Sequence, residues 1–123
     1  MEINDITGEI IGCCIEIHKE LGPGLLESAY EECLAYELNN AGLFFERQKP
    51  IPVRYKEIYI EYGYRMDFVV ENQVIIEIKS VEAISIVHTA QILTYMKFAE
   101  MNAALLINFN VSILKNGIKR FIN

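Results

Sequence analysis

The sequence predicts an α/β domain in which helices flank a small mixed sheet with a central antiparallel hairpin, in the order α-α-β-β-β-α-β. Three observations carry this. Up to Gly42, apolar residues recur every three or four positions, the period of an amphipathic helix. From Leu43 to Ser80 the chain changes to short runs of Val, Ile, Tyr and Phe broken by turn residues, which is strand composition. A further helical stretch then leads into "AALLINF" at 103–109, an apolar run of buried-strand length.

The elements follow in order. Ile3, Ile6, Ile10, Cys14, Ile17 and Leu21 line one face of a first helix, which "LGPG" at 21–24 ends. Leu26, Ala29, Tyr30, Cys33, Leu34, Leu38 and Ala41 line a second, capped by Gly42. Pro50 and Pro52 suit an edge strand or a connection. Tyr64–Val70 and Val74–Lys79 form the central pair of strands. A third helix runs from about Ala83 or Ile84 to Met101, with Ile84, Val87, Ala90, Leu93 or Thr94, and Phe98 as its expected apolar side. "GIKRFI" at 117–122 reads as a last short strand.

The chain of 123 residues is one ordinary domain, spanning 1–123, and 52% hydrophobic residues suffice for a sizeable core. No apolar run reaches the roughly 18 residues of a membrane span. The start, "MEINDITGEI", has no signal-peptide pattern, so a soluble, cytoplasmic protein is expected. Cys13, Cys14 and Cys33 show neither C-x-x-C spacing nor a His partner at metal spacing, and read as buried, reduced thiols. A net charge of −6 argues against nucleic-acid binding by the whole surface but leaves room for a local basic patch or a carboxylate site for a cation.

"VIIEIKS" at 74–80 holds two charges inside an apolar strand. Alternation puts Glu77 and Lys79 on one face with Ile75, and Val74, Ile76 and Ile78 on the other. In the preceding strand Tyr64, Met66, Phe68 and Val70 alternate with Arg65, Asp67 and Val69. The apolar faces coincide only if paired residue numbers sum to an even number. The three-residue loop Glu71-Asn72-Gln73 meets that condition and sets Asp67 directly opposite Glu77, with Cβ atoms ~4.5–5.5 Å apart. Like charges so placed repel. A solvated sheet face is one explanation; a bound divalent cation explains the arrangement better, since Mg²⁺ favours one or two carboxylates with several waters retained.

Two further features each leave two readings open. Glu27 starts the second helix and is either an acid complementing the helix dipole or part of the same site. His88, Gln91 and Tyr95 form a polar stripe at i, i+3 and i+7 that either faces solvent or lines a cleft beside the sheet.

Together these residues resemble the PD-(D/E)XK nuclease superfamily. Asp67 with Glu77-Ile78-Lys79 matches D…(D/E)-x-K, although Met66 stands where the signature has Pro. Gln91-x-x-x-Tyr95 matches the Q-x-x-x-Y motif of RecB-like exonucleases. Gly24-Leu25-Leu26-Glu27-Ser28-Ala29-Tyr30 matches the motif of the GxxExxY family of small prokaryotic proteins, which "GYRMDFVV", "EIKS", "HTAQILTYMK" and "LLINFN" also resemble.

The resemblance implies a nuclease-like core and metal-dependent hydrolysis of phosphodiester bonds in DNA or RNA. Asp67, Glu77 and the Ile78 carbonyl are the implied ligands of Mg²⁺ or Mn²⁺, with Glu27 binding directly or through water. Lys79 is implied in positioning the water or stabilising the charge on the phosphate, and Gln91 and Tyr95 in orienting the scaffold, nucleophile or phosphate. Two basic groups could contact nucleic acid, Arg47, Lys49, Arg54 and Lys56 in one and Lys115, Lys119 and Arg120 in the other. A nuclease-fold binding module or partner subunit with weak or no catalysis is the alternative, and a metal-dependent hydrolase of another substrate the third reading. A homodimer is expected, because 7 Tyr and 6 Phe are many for one small sheet to bury.

Overall fold

The computed structural model describes all 123 residues. The elements are α1 (Ile3–Leu21), α2 (Glu27–Asn40), β1 (Phe45–Tyr55), β2 (Ile58–Val70), β3 (Val74–Lys79), α3 (Ile86–Ala99), β4 (Ala103–Asn108) and β5 (Ile118–Ile122), the last preceded by a 3₁₀ turn at Leu114–Gly117. The order is the one the sequence predicts. The strands lie side by side as β1-β2-β3-β4-β5, antiparallel throughout except for the parallel pair β3 and β4. Parallel strands need a long crossover, and α3 is that crossover.

The two faces of the sheet are covered by different helices. On one, α1 and α2 place Ile6, Ile10, Cys14, Ile17, Tyr30, Leu34 and Leu38 against Phe68, Val70, Val74, Ile76, Ile78, Leu105 and Ile107. On the other, α3 places Ile92, Tyr95 and Met96 against Val69, Ile75, Ala104 and Leu106. The helical spacing seen in the first 42 residues is thus the spacing of the larger core. Gly42 takes φ 75° just past α2, the left-handed conformation that closes a helix at little cost to glycine. Pro50 and Pro52 lie on the outer strand β1, where a missing N–H donor is tolerated.

The hairpin register is the even one. Phe68 pairs with Ile76, Val69 with Ile75 and Val70 with Val74. The face assignment holds from Asp67 onward but not before it. Tyr64 and Met66 belong to the α3-side cluster with Ile51, whereas Phe68 and Val70 belong to the α1/α2 side. The ribbon of β1 and β2 turns over between them, at a point where Gln48 on β1 has φ 49° and interrupts the regular pleat. Farther out the ribbon runs past the end of β3 as a two-stranded arm.

α3 also departs from its expected face. Val87, Ala90, Leu93 and Phe98 are exposed, and the buried residues are Ile92, Tyr95 and Met96. The helix is apolar nearly all round, so periodicity does not mark which side meets the sheet. The cysteines are all free; Cys14 is buried and Cys13 and Cys33 are half-buried. Burial raises the thiol pKa of both Cys13 and Cys14, which keeps them unreactive.

Candidate active site

β2 and β3 stop pairing through their backbones just past Phe68 and Ile76. Side chains take over. The Asp67 N–H donates to Glu77 Oε2 at 2.7 Å, and the Ile78 N–H donates to Asp67 Oδ2 at 2.8 Å. Each carboxylate thus satisfies a backbone donor that the parting strands release, which is why neither donor is orphaned. Glu77 is only 4% exposed and Asp67 half-buried. Burial first, then the Asp67 charge, pushes the Glu77 carboxyl up to about 8. Asp67 is also raised, by burial and by Glu31, against the Ile78 N–H, Gln48 and Lys79, which lower it. The fold holds two acids together in a place that favours protonating one of them.

Glu27 approaches from the start of α2. Its Oε2 accepts from the Ser80 N–H at 3.1 Å, one residue beyond β3, and the Ser80 hydroxyl donates to the Leu25 carbonyl at 2.6 Å. Tyr30 fixes the loop that delivers it. Its hydroxyl donates to the Gly22 carbonyl at 2.6 Å and accepts from the Leu25 N–H at 3.2 Å, while its ring stacks on Phe109 at 4.3 Å. Gly24 has φ 104°, a conformation that side-chain-bearing residues rarely adopt. In G-x-x-E-x-x-Y, then, the glycine and tyrosine shape the loop and the glutamate is what the loop presents.

Behind β3, Asn108 pins the chain after Lys79. Its side chain accepts from the Val81 and Asn110 N–H groups and donates to the Val81 carbonyl at 2.9 Å. Gly117 lies against it, where an added Cβ would come within 2.1 Å of the Asn108 carbonyl oxygen.

Two residues at this site escape the sequence reading. Gln48 Nε2 donates to Glu31 Oε1 at 2.8 Å and to Asp67 Oδ1 at 3.3 Å. Glu31 is in turn held by Arg47, at 2.8 Å, and Arg47 also reaches Glu32. Spacing offers one signal, since Glu31 follows Glu27 by four residues and shares its helix face. Nothing in the letter Q signals the backbone turn that aims Gln48.

The polar stripe of α3 divides. Tyr95 is buried, edge-on to Tyr64 at 5.1 Å, and its hydroxyl is pushed up to about 12 by burial, then by Glu77 and Asp67. Gln91 is half-buried on the same side of the helix. His88 caps the helix instead: its Nδ1 accepts from the Ser85 N–H at 3.0 Å, and its own N–H donates to Ser85 Oγ at 3.3 Å. Tyr95 and Gln91 therefore lie on the side of the helix that meets the sheet, and His88 does not share their role.

Lys79 lies close enough to lower the pKa of both Asp67 and Glu77. No group of three or more His, Cys, Asp or Glu side chains converges as a ready-made metal cage. The pair Asp67 and Glu77 nonetheless suits a hard cation: it concentrates negative charge in a buried place, and Mg²⁺ accepts two carboxylates plus waters. Of the basic residues around β1, Arg47 and Lys49 are taken up by Glu31, Glu32 and Glu46. Arg54 and Lys56 sit out on the arm over Tyr59 and Tyr55. In the C-terminal group Arg120 bonds to the Asn4 side chain, and Lys115 and Lys119 are exposed.

No curated protein and no solved structure gives a significant match. The family comparison does, with the PD-(D/E)XK nuclease superfamily over residues 4–121, a span that includes Glu27, Asp67, Glu77, Lys79, Gln91 and Tyr95. By that match, and with a five-stranded sheet and a crossover helix, the chain belongs to the PD-(D/E)XK nuclease superfamily.

Proposed function

We propose that this chain, as a GxxExxY-type member of the superfamily, is a metal-dependent nuclease hydrolysing phosphodiester bonds in DNA or RNA. The observation that carries the proposal is the pair of facing carboxylates, Asp67 and Glu77, held side by side where β2 and β3 part. A buried and a half-buried acid side by side, with Lys79 as their close cation, are unfavourable for the fold alone and favourable for a cation site. Asp67, Glu77 and the Ile78 carbonyl would hold Mg²⁺ or Mn²⁺, with Glu27 beside them, and the bound ion would supply a Lewis acid for the phosphoryl oxygen and a more acidic water.

The remaining work falls to side chains. The Lys79 ammonium stabilises negative charge growing on the phosphate. Tyr95, whose hydroxyl keeps its proton far above neutral pH, serves as a hydrogen-bond donor and not as a base. Gln91 lies along the same helix side and orients the phosphate or the scaffold. Of the two basic groups, Arg54, Lys56, Lys115 and Lys119 stand outside ion pairs and offer contacts to a nucleic-acid backbone. We place the protein in the cytoplasm, where three free thiols stay reduced, and no helix is long and apolar enough to cross a membrane. We further propose a homodimer that pairs through the outer face of α3, where Ile86 is 87% and Val87 72% exposed.

Titrating Mg²⁺ and Mn²⁺ against single- and double-stranded DNA and RNA tests the activity. Cleavage that needs metal and is lost in Glu77→Gln is expected; no cleavage of any of the four substrates would sink the proposal. A second reading, a nuclease-fold binding module, draws on the absence of a three-ligand cage. It is the outcome if nucleic acid binds and remains uncut. Light scattering across a tenfold dilution tests the dimer, and a constant monomer mass of about 14 kDa counts against it.

A further inference from the structure

Five residues other than glycine have positive φ: Gln48, Lys56, Glu71, Asn72 and Glu100. Four of them sit where the chain must reverse or a helix ends, Lys56, Glu71 and Asn72 in hairpin turns and Glu100 at the end of α3. Gln48 alone lies within a strand. Left-handed backbone strains a residue with a side chain, and glycine much less. Gln48 is also exposed, so no core packing accounts for it. A strained, exposed position inside a strand, holding glutamine where glycine would be easier, directs attention to what the side chain does.

It spans two carboxylates. One amide group gives a hydrogen bond to Glu31 Oε1 and another to Asp67 Oδ1. Gln48 stands opposite Asp67 in the β1–β2 register, between the pairs Arg47–Phe68 and Lys49–Met66, and Asp67 stands opposite Glu77. The three side chains form one row across three strands. Asp67 Oδ2 is already held by the Ile78 N–H, so the bond from Gln48 to Oδ1 fixes the plane of the carboxylate. Glu31 anchors the amide from the other side, and Arg47 neutralises Glu31.

We infer that Gln48 is a positioning residue for the nuclease reaction, kept in a strained backbone conformation so that its carboxamide, braced by Glu31, orients Asp67. This rests on the nuclease reading above. Groups that orient a metal-binding side chain typically change affinity or activity by about 10–100-fold when removed.

Gln48→Gly separates this role from a structural one, because it deletes the amide and also relieves the strain. The expected result is a melting temperature equal to or a few degrees above wild type, with kcat lowered about 10–100-fold, KM within a factor of about three, and Mn²⁺ binding by calorimetry weakened in parallel. Glu31→Ala, which leaves Arg47 in place but removes the acceptor that braces the amide, should lower kcat in the same direction by less. Wild-type kcat and Mn²⁺ affinity in Gln48→Gly would overturn the inference, as would a loss of activity that tracks a loss of melting temperature. A wild-type protein that cuts nothing takes down the nuclease reading itself, and this inference with it. Cleavage by wild type with an equally active Gln48→Gly removes the inference alone.

Discussion

The two faces of the sheet are built on opposite terms. The α1/α2 face is a dry core in which the helical stripes of α1 and α2 meet Phe68, Val70, Val74, Ile76 and Ile78, although Leu21 and Leu26, expected on those stripes, are exposed. The α3 face is smaller, begins with the same Val and Ile pattern, and gives way to Asp67, Glu77 and Lys79 where β2 leaves β3. One face is arranged for stability. The other trades packing for charge held close together, and covers it with a helix whose own outer side is still apolar. The difference teaches that a functional face can be found by asking where the agreement between period and burial stops.

Four changes would break or sharpen that contrast. The largest effect is expected from Asp67→Asn, which should lower kcat by roughly a thousandfold or more in a metal-dependent cleavage assay, with the fold intact by circular dichroism. On the opposite face, Phe109→Ala removes the ring that stacks on Tyr30 and should cost about 3–5 kcal/mol in urea denaturation. A cost under about 1 kcal/mol would mean that the dry face is not where stability resides.

The third change concerns pH. A carboxyl raised to about 8 in the fold, against an ordinary ~4.3, binds its proton in the folded chain over a range in which the unfolded chain has released it. Its contribution to stability is therefore fullest below about pH 4.3 and falls as pH rises toward 8. Glu77→Gln keeps the shape and an acceptor for the Asp67 N–H. In chelator it should be more stable than wild type at pH 8, by on the order of 1–3 kcal/mol, and no more stable near pH 4. Equal stability at both pH values would show that Glu77 is not strained by its setting. The smallest effect belongs to Leu93→Ala on the outer side of α3. It should shift monomer stability by at most about 0.5 kcal/mol while weakening any dimer seen by light scattering.

Much of this was legible in the letters. α1 and α2 repeat with helical period because each buries one stripe, and the register of β2 and β3 follows from parity because a slip of one residue would turn Phe68 and Ile76 out of the core. α3 was not legible in the same way. Val87, Ala90, Leu93 and Phe98 look like part of a buried stripe, and only the packing of Ile92, Tyr95 and Met96 against β4 and β2 decides otherwise. The same limit hid the turn between Met66 and Phe68, since alternation assumes an unbroken pleat and Gln48 breaks it. Asp67, Glu77 and Lys79 stood out as charges in apolar strands. Gln48, Glu31 and Asn108 did not, because their importance lies in the backbone groups and carboxylates they reach from elsewhere in the chain.

The parallel pairing of β3 with β4 has a consequence for the order in which the chain acquires its structure. The β2–β3 hairpin needs only a short loop and can close early, whereas β4 must be brought back across the whole of α3, a slower, long-range step. Asn108, at the end of β4, is what clamps the segment after Lys79, and Phe109 carries the ring on which Tyr30 rests. The acids thus meet before the loop that presents Glu27 is secured. A nascent chain would carry the charges of the site without its frame until β4 docks. Pulse-labelled hydrogen exchange should accordingly protect Val70 before Leu105, and the reverse order would contradict the scheme.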